Sequence, residues 1–410
     1  MTAAPAAPPP AGRDPLVVFG LEGLQPDGAV SDAAVEAALG YVRAFAACEP
    51  GSLAGVSVDA SLDAGRLTGR LPSEIAVVAE PGVQAGDRPV VFHVLSLQAG
   101  ATARRLWPLW ARRPSVALAV SVYDDVTRLA LETPGSDRAG RLRSSRHRLI
   151  GAADVVVATS HAAALDVVGW AGVDPDKVFV ARQPATPPAR HVPGAATGHL
   201  AGSHPGLQTG GLDPAGGFVV AAASASSSMH NEVLVEAFAS LEPSLRLAWR
   251  LVLASRSDHG SGMDRLRTLI DSLGVAGQVT VATGLGDDEI GRLYGSCRVA
   301  FIGGVEDGSI GAALEAASGG AGIVVADHDA LVDLVAQPDA RFYPMSVEST
   351  RSMLRRCLTD AEFCVARRDE TAEGLAGYSQ RDTARALKRA YRRAAEARPR
   401  RTLPAAAASL

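Results

Sequence analysis

Hydrophobic and polar positions follow two repeating patterns along this chain. Short apolar runs such as Leu16-Val17-Val18-Phe19 have the length of buried strands. Between these runs, apolar residues recur every three or four positions, as Val35, Leu39, Val42 and Phe45 do. Strands that alternate with helices predict parallel, doubly wound sheets. We expect further strands at 75–78, 90–94, 116–120, 155–158, 177–180, 218–221, 251–254, 279–281, 299–302 and 322–325.

The pattern ends in helices. Two long helices are predicted at 347–358 and 383–396, and Asp382 stands where an N-cap residue of the second would be.

The pattern is interrupted once, between Gln183 and Gly217. Proline, glycine, alanine, threonine and histidine dominate this stretch, and no hydrophobic period survives in it. Such a stretch predicts a linker between two halves of similar pattern, in a chain of 410 residues that is long for a single core. The expected organisation is a disordered tail at 1–14, a first domain at 15–182, a linker at 183–217, a second domain at 218–378 and a final helix with a tail at 379–410.

Composition excludes several classes of protein. The chain is 47% hydrophobic and 20% charged with a net charge of −4, which is typical of a globular protein and gives no argument for a nucleic-acid partner. No apolar run reaches the roughly 18 residues that span a bilayer, and the first residues lack a signal-peptide pattern. The four cysteines have neither zinc spacing nor a disulfide-framework pattern, so we expect reduced thiols and no metal.

A glycine-rich turn carries the strongest chemical signal. It follows the apolar run at 299–302 and leads into a helix from Gly311. A strand, a turn and a helix start present unpaired backbone N–H groups to an anion. Asp307 and Glu315 lie eight residues apart around this turn, and carboxylates accept hydrogen bonds from sugar hydroxyls. A purely structural turn is the alternative at this point.

This segment resembles the E-x7-E region of retaining glycosyltransferases of the GT-B fold, family 4 type. Asp307 stands at the first Glu, Gly308 at the Gly after it, and Glu315 at the closing Glu, while Ser309-Ile310-Gly311-Ala312 replaces Phe-Gly-Leu-Pro. Further segments resemble the family in the same order, at 121–126, 154–160, 174–180, 230–238, 273–284, 287–294 and 378–380.

The resemblance implies an α/β fold with two Rossmann-like doubly wound domains facing across a cleft. The first would hold the acceptor, the second the nucleotide-sugar donor, and the last helix would return to the first domain. The implied activity is cytoplasmic, metal-independent and cofactor-free transfer of a sugar from a nucleotide-sugar to a hydroxyl-bearing acceptor, with retention.

The resemblance places the donor at 224–231, 284–288 and 307–315. Family members hold the diphosphate with an Arg and a Lys from the first loop of the second domain, but here His230 takes the Lys position and the loop has no Arg. His230, the helix start at Asn231 and Arg256 are expected to supply the missing interactions. Glu315 is expected to accept from the ribose hydroxyls. Because the family's Arg and Lys are missing, an alternative stays open: a catalytically inactive GT-B-like protein that acts as a binding or scaffolding partner.

The first domain departs from the family as well. Tyr123 replaces a His that lies near the transferred sugar, while Asp124 keeps the family's Asp, and the predicted catalytic residues are Tyr123, Asp124 and Asp307. The acceptor is expected near Gly28 and His93, with a core histidine as the alternative for His93. Basic residues leave peripheral membrane contact open, with a solvated helix face as the alternative; they are Arg138, Arg141, Arg143, Arg146 and Arg148.

Overall fold

The computed structural model describes most of the chain between residues 14 and 397. The described ranges are 14–21, 32–58, 71–72, 74–77, 88–95, 106–123, 146–185, 217–223, 230–256, 261–304 and 308–397.

The first unit is built on a parallel sheet of six strands. These are β1 (Leu16–Gly20), β2 (Leu53–Ser57), β3 (Val90–Val94), β4 (Val116–Val122), β5 (Val155–Ala158) and β6 (Val178–Val180). Their order across the sheet is β2-β1-β3-β4-β5-β6, so the winding direction reverses between β1 and β3. Beyond β2, the stretch predicted as a strand at 75–78 contributes one isolated parallel bridge, between Val56 and Val77.

A distant helix completes the core of this unit. Its helices are α1 (Asp32–Cys48), α2 (His161–Ala171) and, far along the chain, α11 (Gln380–Ala397). Leu387 and Tyr391 of α11 are buried against α1 and the sheet, where Tyr391 packs edge-on to Phe19 and Phe45. The chain accordingly divides at Arg182/Gln183 and again at Ser379/Gln380.

The second unit has its own six-stranded parallel sheet. Its strands are β7 (Gly217–Ala222), β8 (Trp249–Ala254), β9 (Val279–Ala282), β10 (Ala300–Ile302), β11 (Ile323–Ala326) and β12 (Arg341–Phe342). They lie in the order β12-β11-β10-β7-β8-β9, with the reversal between β7 and β10. Apolar side chains from both faces of this sheet are buried, which explains why its strands read as continuous apolar runs.

Helices cover both faces of the second sheet. They are α3 (Asn231–Ala239), α4 (Pro243–Ala248), α5 (Ser261–Ser272), α6 (Asp287–Ser296), α7 (Gly308–Ser318), α8 (Asp329–Val332), α9 (Val347–Thr359) and α10 (Ala361–Leu375). The prediction of two Rossmann-like doubly wound domains is therefore confirmed.

Two details of the helix prediction are wrong. Helix α11 begins at Gln380, so Asp382 lies inside its first turn, where it pairs with Arg385, and is not the N-cap. Helix α10 was not predicted. Its buried positions include Arg367 and Thr371 beside Phe363 and Cys364, so the apolar period is too weak to reveal it.

Candidate donor site

The carboxyl edge of the second sheet is where the predicted donor residues gather. In an open parallel sheet, ligands bind beyond the carboxyl ends of the strands, at the point where the winding reverses. Here β7 leads toward α3 and the adjacent β10 leads toward α7, so both helices begin at this point. Two helix N-termini, each with unpaired N–H groups, therefore lie at one edge of the sheet.

The start of α3 has an unusual backbone. His230, its N-cap, has φ 50° and ψ 33°, and among the described residues it is the only one other than glycine with positive φ. A left-handed conformation costs an L-residue roughly 1–2 kcal/mol, and such strained positions cluster at ligand sites. Asn231 follows as the first helical residue. It is 3% exposed, and its amide nitrogen has no hydrogen-bond partner within the described part of the chain.

The start of α7 joins the predicted sugar-binding turn to the core. Ser309 is buried, and Ile310 packs against the apolar cluster of the second unit. Gly311 lies next to Gln183, since a Cβ atom at Gly311 would be 3.6 Å from the Gln183 amide nitrogen. Gly308 begins the helix, whereas Asp307 lies outside the described residues, as does the loop 224–229.

Three charged side chains meet at the same edge. Arg256, two residues after β8, donates from Nη1 to Glu315 Oε2 at 3.1 Å, and its Nη2 donates to the other oxygen of that carboxylate. Arg256 also donates from Nε and Nη2 to Asp287 Oδ1, at 3.1 and 2.9 Å. Asp287 opens α6, and its side chain is 81% exposed, against 30% for Glu315. The hydrogen bonds that Arg256 donates to Glu315 are the main cause that raises the pKa of Arg256, so the guanidinium stays charged between two carboxylates.

A buried phenol is also influenced by Glu315. Tyr294 of α6 is fully buried, and this burial, reinforced by the charge of Glu315, raises the pKa of its hydroxyl well above the usual range. Tyr294 is therefore neutral at physiological pH and places no second negative charge near Glu315.

In the first unit the structure places His93 in the interior. His93 lies on β3 with no exposed surface, and its ring nitrogens are 2.7 Å from the Tyr391 hydroxyl and 2.9 Å from Ser121 Oγ. Burial lowers its pKa to about 3. Both nitrogens are used, which leaves none for an acceptor, so the core interpretation fits His93 and the acceptor-side role does not.

The other predicted first-unit residues are only partly described. Tyr123 directly follows β4, at the carboxyl edge of the first sheet, and is 5% exposed. Gly28 and Asp124 lie outside the described residues, and so do Arg138, Arg141 and Arg143 of the basic segment. In the described ranges, no helix combines the length and the apolar character that crossing a bilayer needs, and no group of three or more metal-ligating side chains occurs.

Comparisons with known proteins agree with the architecture. No family model matches the chain. The fold is that of GT-B glycosyltransferases: HepE of Anabaena, solved in complex with UDP, superposes with a TM-score of 0.65 at 15% identity, over 91% of this chain and 98% of its own. Sucrose-phosphate synthase of Thermosynechococcus elongatus superposes with a TM-score of 0.67 at 16% identity, over 93% of this chain and 98% of its own.

Among curated proteins, the chain is similar to the serotype-specific mannosyltransferase WbdA of Escherichia coli. The two are 29% identical over 133 residues, which is 32% of this chain and only 16% of the mannosyltransferase.

Sequence reasoning missed two features of this site. Nothing in the sequence distinguished Gln183, because it opens the proline-rich stretch that was interpreted as a linker. The second is the contact of Arg256 with both Asp287 and Glu315. These carboxylates lie 31 and 59 positions after Arg256 in the chain, and only the strand order of the sheet brings them close to it.

Proposed function

We propose that this protein is a retaining glycosyltransferase of family 4 type that moves a hexose from a nucleotide-sugar to a hydroxyl-bearing acceptor without a metal or cofactor. The observation that carries the proposal is the pair of helix N-termini at the reversal point of the second sheet, with Arg256 and Glu315 beside them. The similarity to a mannosyltransferase and to a protein solved with UDP and with UDP-glucose supports the same reaction class.

The diphosphate of the donor is assigned to the start of α3. Phosphate oxygens only accept hydrogen bonds, and this helix end offers backbone N–H groups together with the amide nitrogen of Asn231, which has no partner in the described ranges. The left-handed backbone of His230 turns the chain into the helix at this point. Arg256 adds a positive charge from just beyond the neighbouring β8, which partly replaces the Arg and Lys of the family pattern.

The nucleoside and the sugar are assigned to α7. Glu315 has an exposed fraction of 30%, and a carboxylate has about four acceptor positions, so it can receive a ribose hydroxyl while it accepts from Arg256. Asp307 and the first helical residues, Gly308 to Gly311, would receive the sugar. We assign Tyr123, Asp124 and Gly28 to the acceptor side, and expect the reaction in the cytoplasm.

In the proposed reaction, the bond between the anomeric carbon and the diphosphate oxygen breaks, and the diphosphate leaves with the electron pair. The acceptor oxygen bonds to the same face of that carbon, and its proton passes to the departing phosphate. Amide donors and Arg256 stabilise the growing negative charge on the leaving group, which is the transition-state contribution that this site offers.

Two observations favour a second candidate, a GT-B protein that binds without catalysis. Arg256 is shared between two carboxylates, and the loop from Ser224 to Met229 contains no basic residue. Each charge-assisted hydrogen bond contributes roughly 1.5–3 kcal/mol, so losing two weakens diphosphate binding by about two to four powers of ten.

Calorimetry with UDP-, GDP- and dTDP-sugars, combined with an assay of donor hydrolysis, separates these functions. The enzyme is expected to bind one nucleotide class and to release its diphosphate. Binding without any release would favour the second candidate. Absence of both binding and release for all three classes would overturn the glycosyltransferase proposal.

A further inference from the structure

We propose that Gln183 receives a hydroxyl of the donor's sugar at the first turn of α7 and thereby distinguishes a nucleotide-sugar from the bare nucleotide. This inference rests on the proposed function and adds a specificity residue to it. Gln183 stands outside the E-x7-E segment, 128 positions before Gly311, and enters the site only through the fold.

The backbone around Gln183 is fixed on the second unit. The N–H group of Ala185 donates to the carbonyl oxygen of Tyr378 at 2.8 Å, and Ala185 packs against the apolar cluster that also contains Tyr378. Gln183 itself is 8% exposed. Its side chain is therefore held against α7 by a short, anchored segment.

The Gln183 amide is only partly satisfied. Its nitrogen lies against Gly311, 3.6 Å from the position of a Cβ atom there. Its oxygen is buried and has no hydrogen-bond partner in the described ranges. A buried acceptor without a partner is uncommon in a folded protein, and a hydroxyl of a ligand bound at the start of α7 would complete this one.

The amide oxygen of Gln183 determines which kind of ligand group can bind there. An amide oxygen accepts and cannot donate, so a phosphate oxygen would leave it unsatisfied. A sugar hydroxyl can donate to this oxygen and at the same time accept from an N–H group at the start of α7. The buried amide oxygen therefore suits a hydroxyl and not an anion.

The contact between Gln183 and Gly311 lies at a different height along α7 from the ribose assigned to Glu315. Gly311 and Glu315 are four residues apart on one face of α7, a rise of about 6 Å. With the ribose at Glu315, Gln183 lies one turn nearer the helix start, on the side where the donor's sugar is assigned.

The test compares Gln183→Met with the unchanged protein, using UDP and UDP-glucose, and GDP and GDP-mannose, as calorimetric probes. Methionine keeps the length of the side chain and removes the amide. The readout is the affinity for the nucleotide-sugar divided by that for the nucleotide, measured on one sample so that partial unfolding cancels. We expect this ratio to fall about tenfold, with nucleotide affinity within twofold of its original value.

Two further variants complete the experiment. Gln183→Glu keeps an acceptor oxygen and is expected to retain the ratio. Gln278→Met is the matched control, because Gln278 also has an unpartnered amide oxygen but precedes β9, at the opposite edge of the sheet. It should change neither affinity.

The outcomes distinguish this inference from the proposed function. An unchanged ratio in Gln183→Met, or an equal loss for nucleotide and nucleotide-sugar, would overturn the role of Gln183 while leaving the glycosyltransferase proposal standing. If the unchanged protein binds none of the four probes and no dTDP-sugar either, the donor site itself is refuted, and the role of Gln183 with it.

Discussion

Arg256 and Glu315 form a two-pronged salt bridge that links the end of β8 to the middle of α7. Both guanidinium Nη atoms donate to the carboxylate, one to each oxygen. The bridge lies at the sheet edge where α3 and α7 both begin. It therefore connects Glu315, the proposed hydrogen-bond acceptor for the ribose hydroxyls, to Arg256, the side chain proposed to bind the diphosphate. Any donor that enters this site must share these two side chains or separate them.

Replacing Glu315 by Ala is expected to weaken donor binding strongly while leaving the fold intact. The substitution removes the proposed acceptor of the ribose hydroxyls and a carboxylate that accepts from Arg256. From the contribution of a charge-assisted hydrogen bond, we expect nucleotide-sugar affinity to fall at least tenfold. Calorimetry measures the affinity and circular dichroism checks the fold. Glu348→Ala, which removes an exposed carboxylate from the first turn of α9, is the control and should bind normally. Unchanged affinity in Glu315→Ala would mean that the site lies elsewhere.

Arg256→Ala tests whether this cation serves the diphosphate. We expect UDP affinity to fall about tenfold at low salt and by less as salt rises, because an exposed charge is screened. Arg256→Lys should recover part of the loss, since it keeps the charge and loses the planar fork. Tighter UDP binding after removal of Arg256 would show the opposite role, a side chain that blocks Glu315.

The buried His93 predicts a pH dependence of stability. Its folded-state pKa of about 3 lies below the ordinary value of 6.5, so the unfolded chain takes up a proton that the folded protein refuses. The sign is therefore a loss of stability as pH falls below about 6.5, by about 1.4 kcal/mol per pH unit, until His93 itself titrates.

Urea unfolding of the unchanged protein and of His93→Gln, between pH 5 and 7.5, measures this contribution. The variant should be less stable at pH 7.5 because it disturbs the contacts with Tyr391 and Ser121. Its stability should nevertheless depend less steeply on pH, and parallel pH profiles would contradict the assignment.

Two helical glycines give opposite expectations for substitution by alanine. At Gly374 in α10 a Cβ atom would lie 2.3 Å from the carbonyl oxygen of Leu334, a clash with backbone that cannot rotate away. We expect Gly374→Ala to lower the free energy of unfolding by about 1–3 kcal/mol. Gly169, exposed in α2, has open space around it, so Gly169→Ala should raise stability by up to about 1 kcal/mol. Denaturant titration of both variants checks the pair.

The fold was accessible from sequence because its strands are continuous apolar runs with helices between them. The elements that were missed are β2, α4, α10 and β12, which are very short, are interrupted by glycine and serine, or bury charged residues. Helix α10 buries Arg367, which pairs with Glu370 and Asp339, and a charged residue at a core position conceals the helical period. Strand β12 has only two residues, Arg341 and Phe342, too few to show any alternation.

The candidate site was accessible only in part. The turn before α7 has a local signature, so Gly311 and Glu315 could be proposed from their own neighbourhood. Gln183 has no such signature, since its significance depends on a contact with a residue 128 positions later. His93 shows the converse: a histidine at the end of an apolar run suggests a site, yet the helix that buries it is almost 300 residues away in the chain.

The return of α11 to the first sheet reverses the usual order of maturation during synthesis. A nascent chain emerges from the ribosome from its N-terminal side, and domains generally fold as they become complete. Residues 183–379 form a unit that is complete before Leu387 and Tyr391 have been made. The half that is translated first must therefore wait for α11, and Phe19 and Phe45 lack the cover of Tyr391 until residues 380–397 have been made.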